Sequence, residues 1–372
     1  MGHALNQNFF KYVLQNTSLR KLLDYVVHDN TLDLELRNNK INIYYRGAGL
    51  ILLRYTPNPR GVGVKVSFEQ KYIINNYYIK KLVDSKLGGV NLSNIPLNVI
   101  ESIIPYLKQV IDFYFTCNIG AGAKGKQKLE QDAQQAIVRE NSYGKLANST
   151  DYFCLDTEYT YDNARFDIIG IEWPSDKYAR KIRSDCRLTF FEVKYGDGAI
   201  DGDAGLLKHI KDFVALSKNQ VAIAAIKQDM ELVLKQKCAL QILNNNAYKY
   251  FKNLGQIYLD SLKNNPPASS PNLDITINSE YPIEYIFLLV NHDPASSKMF
   301  AELDKVFQQF NPQELENIYI ATASELGYGL YRRNKDKNKK AIDRFISLND
   351  YYQELTSLFH KPQSQNLEKE QL

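Results

Sequence analysis

The sequence predicts an α/β protein: a small N-terminal α+β module followed by a mixed sheet flanked by helices. Three observations lead there. Between residues 31 and 68, short runs alternate apolar and polar residues with period two across turn residues, the mark of an antiparallel sheet. From residue 127, three strand-like runs come in close succession and then interleave with long helical segments, the order of a layered α/β domain. Length and composition admit both parts. At about 150 residues per domain, 372 residues suit two domains, and 44% apolar with 24% charged residues suffices for real cores.

In chain order, residues 8–28 read as one amphipathic helix with Leu14, Leu19, Leu22 and Val26 near helical spacing. Residues 31–37 and 41–45 alternate on either side of Asn38-Asn39, a hairpin signature. Gly47 and Gly49 bend the chain into a strand over 50–55, and Pro57 and Pro59 precede another over 62–68. Helices are expected over 75–85 and 96–115, then a glycine-rich hinge over 120–126. A polar helix over 127–142 leads to strands 152–159, 165–173 and 187–195. Helices over 205–213 and 219–243, a loop over 263–272, strand 285–290, a helix near 297–310 and strand 318–323 complete the sheet. The expected organisation is a basic module over 1–126, the helix-flanked domain over 127–360 and a polar, disordered tail over 361–372.

Charge is unevenly placed. Residues 1–126 hold 16 Lys and Arg against 8 Asp and Glu, a net +8, so the remainder carries −4 of the overall +4. A basic front beside an acidic remainder fits a polyanion-facing surface paired with a carboxylate-rich site. Cys117, Cys154, Cys186 and Cys238 lie far apart with no C-x-x-C, against a thiolate metal site or a disulfide framework. Lys11, Arg20 and Lys21 interrupt the early apolar stretches, and no uncharged apolar run approaches membrane-spanning length. The expectation is a cytoplasmic chain with no membrane partner.

Chemistry concentrates in the strand R-L-T-F-F-E-V-K-Y. Glu192 and Lys194 are two residues apart and so share a face, while Phe191 and Val193 point the other way into apolar packing. Asp167 lies in the preceding strand, close enough in sequence for a hairpin to bring it back beside them. Two carboxylates and a lysine converging from adjacent strands suit Mg²⁺, which prefers hard oxygen ligands and keeps positions open for water and phosphate. The lysine supplies a point charge for an attacking water or for charge growing on phosphorus.

This order of a helix, a strand, a strand bearing Asp, a strand bearing Glu-x-Lys and a helix resembles the PD-(D/E)xK nuclease superfamily, which has the restriction-endonuclease-like fold, over about residues 127–330. The resemblance makes Asp167 the motif aspartate, Glu192 the second acid and Lys194 the motif lysine; Phe166 stands where the family commonly has proline. It implies a glutamate on the preceding helix, for which Glu140 is the first candidate and Glu130 the second, and Glu158 at the end of the first strand as a further carboxylate. The implied cofactor is Mg²⁺ or Mn²⁺, held by Asp167, Glu192 and the carbonyl of Val193. Lys208, His209 and Lys211 on the following helix, with Arg332, Arg333, Lys335 and Lys337 in the basic 332–340 segment, are the expected phosphate contacts. The implied activity is metal-dependent hydrolysis of phosphodiesters, expected in DNA, in a setting of restriction, phage defence or repair. A homodimer or a larger defence complex is compatible with it. The alternative is a catalytically silent protein that keeps the fold and binds nucleic acid or a partner.

Other patterns carry less. Asp156-Thr157-Glu158 is similar to the first motif of DEDD exonucleases, but His209 and Asp212 are too close together to complete that set. Gly125-Lys126 is followed by Gln127 instead of Ser or Thr, against a phosphate loop. Arg46 reads either as a phosphate contact or as a surface or locally paired arginine. His292-Asp293 reads as a strand-end turn, and the remaining histidines are isolated.

Overall fold

The computed structural model describes residues 2–58, 61–116, 129–143, 149–162, 164–175, 185–243, 248–263, 275–293, 296–322 and 345–359. The glycine-rich 120–126 segment, most of the 263–272 loop, the basic 332–340 segment and the tail from 361 lie outside them. Among the described residues the chain is a mixed α/β protein with ten α-helices, a four-stranded antiparallel sheet and a six-stranded mixed sheet.

The expected first helix is two, α1 (Gln7–Gln15) and α2 (Thr17–His28). Asn16 breaks it: the residue leaves helical geometry, and its side-chain oxygen accepts the Leu19 N–H, so it caps α2. Strands β1 (Leu32–Arg37), β2 (Lys40–Tyr45), β3 (Ala48–Asn58) and β4 (Gly61–Ser67) form a meander in sequence order. Asn38 supplies the positive φ, +52°, that the tight β1–β2 turn needs. One face of this sheet, with Leu36, Ile41, Leu53 and Val66 in one row, packs on α1, α2, α3 (Tyr77–Lys86) and α4 (Ile100–Thr116).

After α5 (Leu129–Val138), which ends in a wide turn over Arg139–Tyr143, come β5 (Tyr152–Tyr161), β6 (Ala164–Glu172) and β7 (Arg187–Tyr195), all antiparallel. Helices α6 (Leu206–Ser217), α7 (Gln220–Ala239) and α8 (Tyr248–Ser261) then carry the chain to β8 (Glu284–Val290), parallel to β7. Helix α9 (Ser297–Gln309) leads to β9 (Ile318–Thr322), parallel to β8, and a short β10 (Ile346–Ser347) precedes α10 (Leu348–Phe359). The sheet order is β10-β9-β8-β7-β6-β5. Its larger core holds Leu188, Phe190, Tyr285 and Phe287 with apolar residues of α6 to α10. The opposite face packs Ile168, Phe191 and Val193 under Ala133, Ile137 and Val138 of α5. The strand β7 is thus covered on both sides, and every residue from Leu188 to Lys194 is buried, the charged ones included.

The two sheets are joined. Ala239, Leu240 and Ile242, at and just beyond the end of α7, belong to the apolar core of the first sheet, while Ile226, Met230 and Val233 of the same helix belong to the second. Between them lies a buried ionic cluster. Lys237 donates to Glu35 on β1 at 2.8 Å and to the carbonyl of Leu155 on β5 at 2.7 Å. Arg37 and His3 both bind the carboxylate of Asp156. Burial alone would raise Asp156, but Arg37 and His3 outweigh it and hold this carboxyl below the usual range.

Candidate active site

The candidate centre forms where β6 and β7 part. Their antiparallel pairing runs from Glu172↔Arg187 to Ile168↔Phe191 and stops there, although both strands continue. The next pair in that register would be Asp167 opposite Glu192. Two carboxylates directly across a ladder repel each other, and the carboxylate of Asp167 instead enters the gap, its Oδ2 accepting the Val193 N–H at 2.9 Å. Burial, reinforced by the negative charge of Glu192, pushes Asp167 well above the ordinary aspartate range.

Glu192 is held from three sides. Its Oε1 accepts from Lys194 Nζ at 2.7 Å and lies 2.9 Å from His209 Nε2, while its Oε2 accepts from the Tyr285 hydroxyl at 3.4 Å. Burial works against its charge, but the His209 hydrogen bond and the Lys194 ammonium prevail and keep it below the usual glutamate range. The Tyr285 phenol is raised by burial and by both Glu192 and Asp167, so both carboxylates act on one point beside β8. Lys194 Nζ also donates to the carbonyl of Ala204 at 3.0 Å. Asp167, Glu192 and Lys194 are 8%, 2% and 4% exposed.

His209 sits over this group from α6. Its Nε2 lies 2.9 Å from Glu192 Oε1 and 3.2 Å from both the Ala204 carbonyl and Lys194 Nζ, while its Nδ1 is buried with no hydrogen-bond partner among the described residues. The sequence grouped His209 with Lys208 and Lys211 as phosphate contacts. The structure separates them: Lys208 and Lys211 are exposed, Lys208 paired with Asp212 one turn on, while His209 turns inward. Its position was readable, since it falls beside Leu206, Ile210 and Phe213 on the buried stripe of α6.

The helix glutamate at the site is Glu130, with Glu140 elsewhere. Burial and the charge of Glu192 raise the Glu130 carboxyl, and Lys194 and the Tyr195 N–H oppose that rise. Glu140 stands ten residues on, in the wide turn after α5, about 15 Å along a helix axis at 1.5 Å per residue. Both cannot serve one ion. Glu158 has a different engagement: φ is +50°, and its Oε1 accepts from Arg165 at 2.6 Å and Gln131 at 3.3 Å. With Asp156 bound to Arg37 and His3, the Asp-Thr-Glu pair forms no common ligand set. Arg46 is locally paired, with Asp112 at 3.0 Å and Asp132 at 3.2 Å. His292 joins Asp197 and Tyr351. The sequence reading passed over Tyr285, and only the parallel register Phe190↔Tyr285 brings it in.

Arg332, Arg333, Lys335 and Lys337 lie outside the described residues. Among the described residues no three His, Cys, Asp or Glu side chains form a ready metal cage, and no helix is long and apolar enough to cross a membrane. Compared with family models, curated proteins and solved structures, the chain matches none.

Proposed function

We propose that this chain is a metal-dependent nuclease with a restriction-endonuclease-like core, hydrolysing phosphodiester bonds, with DNA as the expected substrate. The observation that carries the reading is the meeting of Asp167, Glu192 and Lys194 at the fork of β6 and β7, with the Asp167 carboxylate on the Val193 N–H. The surrounding order supports it: antiparallel β5 to β7, parallel β7 to β9, and helices α5 and α6 on opposite faces.

The donor set suits Mg²⁺ or Mn²⁺. Asp167, Glu192 and the Val193 carbonyl offer oxygen only, and a Mg²⁺ site commonly takes one or two carboxylates and completes its shell with water and phosphate, so two carboxylates without a third fit. When bound, the ion supplies a Lewis acid for a phosphoryl oxygen and acidifies a bound water. The chain's own residues do the rest. Lys194 stands beside Glu192, where its amine donates to an attacking water and balances charge growing on phosphorus. Glu130 adds a carboxyl, raised by burial, beside that lysine, where it suits general acid or base work. His209 and Tyr285 each bind a different oxygen of Glu192 and so fix the plane of its carboxylate.

One observation favours the silent, binding-only alternative: the Lys194 amine is closed over by Glu192, Ala204 and His209. Incubation of the purified chain with circular, linear and single-stranded DNA, in Mg²⁺ or Mn²⁺ against chelator, separates the two. Cleavage that chelator stops supports the nuclease. No cleavage of any substrate in either metal would leave a binding protein.

A further inference from the structure

The face of the first sheet turned away from its apolar core, covered over β1 and open over β3 and β4, carries a row of like charges. The registers Arg37↔Lys40, Lys40↔Arg54 and Arg54↔Lys65 align four cations across β1 to β4. Directly opposed side chains share a face, and the adjoining row, Leu36, Ile41, Leu53 and Val66, is buried on the opposite one. Arg37 is neutralised by Asp156. Lys40, Arg54 and Lys65 have no ion-pair partner among the described residues, and Arg54 and Lys65 are exposed. Like charges placed directly opposite destabilise a sheet, so the row stands against the stability of the fold unless an external anion lies along it.

The same face runs into a groove of about 280 Å³ whose walls include Lys40, Asn42 and Lys71 on one side and Gln131 and Glu158 on the other. Its two carboxylates are countered within the chain, Glu69 by Lys71 and Glu158 by Arg165. Gln131 is the α5 neighbour of Glu130, which faces Glu192 and Lys194. One wall of the groove is therefore the helix that delivers a carboxyl to the candidate centre.

We infer that Lys40, Arg54 and Lys65 form a phosphate track on which the sugar-phosphate backbone of a nucleic acid lies, led by the groove toward α5 and the fork of β6 and β7. The inference deepens the nuclease reading by assigning the first sheet its role, and it rests on that reading for the class of substrate. A backbone has the required chemistry: regularly spaced monoanions, recognised through charge without base contacts.

The test is equilibrium binding of the full chain to labelled duplex and single-stranded oligonucleotides in chelator, between about 50 and 200 mM salt. The triple variant K40Q/R54Q/K65Q should lower the log–log salt slope by about 2 to 3 on duplex, at about 0.9 per lost phosphate contact, and by about 2 on single strands. Its melting temperature should equal or exceed that of the wild type, because a repulsive row has gone; a folding defect is thereby told apart from a binding defect. The charge-matched control K80Q/K81Q/K86Q on α3 should keep the wild-type slope. An unchanged slope in the row variant, an equal loss in the control, absence of binding by the wild type, or equally tight row-dependent binding of polyglutamate overturns the track. Row-dependent binding by a wild type that never cleaves in metal upholds the track and removes the nuclease reading alone.

Discussion

Replacing Lys237 by Met tests the junction of the two sheets. The Lys237 amine is 1% exposed and sits 2.8 Å from Glu35 Oε2, and Glu35 is fully buried, its Oε1 lacking a hydrogen bond among the described residues. Met fills nearly the same volume, so the perturbation is the loss of a cation more than of packing. Removing one partner of a buried pair costs about 3–5 kcal/mol, because the other charge stays buried and uncompensated. Against a typical domain stability of about 5–15 kcal/mol, that is from about a fifth of the total upward. Burial already raises Glu35 well above the glutamate range, with Lys237 its chief counterweight. Without Lys237 the folded-state value climbs further above the unfolded one of about 4.3. Folding of the variant then takes up a proton, so its stability is fullest below that unfolded value and falls as pH rises toward the folded one. Guanidinium unfolding followed by circular dichroism and by Trp173, the single tryptophan and fully buried beside the second sheet, measures this at about pH 5 and pH 8. The penalty should be larger at pH 8, and the double variant Glu35→Leu with Lys237→Met should recover most of it. A penalty below about 1 kcal/mol, or one equal at both pH values, would refute the reasoning, since a solvated pair would behave that way.

Three further outcomes are expected. Lys194→Ala should abolish metal-dependent cleavage while metal and DNA binding persist, and Asp167→Asn should weaken metal binding as well, measured by calorimetry with Mn²⁺. Glu130→Gln should slow cleavage about tenfold or more, within the range for a positioned acid or base, while Glu140→Gln stays within about twofold; the reverse order in a cleavage time course would restore Glu140 to the site. Asp156, held below the carboxylate range by Arg37 and His3, contributes stability that is present above its unfolded value of about 3.9 and is lost as pH falls through the folded one. Asp156→Asn should therefore flatten the acid limb of a stability-against-pH curve, and an unaltered limb would count against the pairing.

Local pattern carried much of the architecture. The β1–β2 hairpin was legible in period two and in Asn38-Asn39, and β5, β6 and β7 fall within a residue or two of the expected runs. Period two separates two faces without saying which one is wet, however. The polar face of β1, with Asp33, Glu35 and Arg37, reads as solvent-facing in T-L-D-L-E-L-R, yet it is buried against β5 and α7 because counter-charges arrive from Asp156 and Lys237. The same limit governs the centre. The spacing of Glu192 and Lys194 fixed their common face, and the short link to Asp167 made its return readable. The choice between Glu130 and Glu140 depended on which end of α5 lies over β7, and that is set by the packing of Ala133, Ile137 and Val138 on a sheet the sequence does not order. Helix α8 lies where no element is expected, because polar neighbours dilute the helical spacing of Phe251, Leu254 and Tyr258.

That α7 serves two cores has a consequence for synthesis on the ribosome. The meander and its four helices are complete in sequence by Thr116, but Ala239, Leu240 and Ile242, which close their apolar core, and Lys237, which meets Glu35, emerge more than a hundred residues later. At about 5–20 residues per second, the nascent N-terminal part waits roughly 6–25 s with one side uncovered and an acidic strand face unmatched. Contacts of such long sequence separation are also the slow ones to form. The first sheet thus leaves the exit tunnel first yet matures only with α7, the second long helix after β7, which makes the interval before α7 appears the stage at which a chaperone has most to shield.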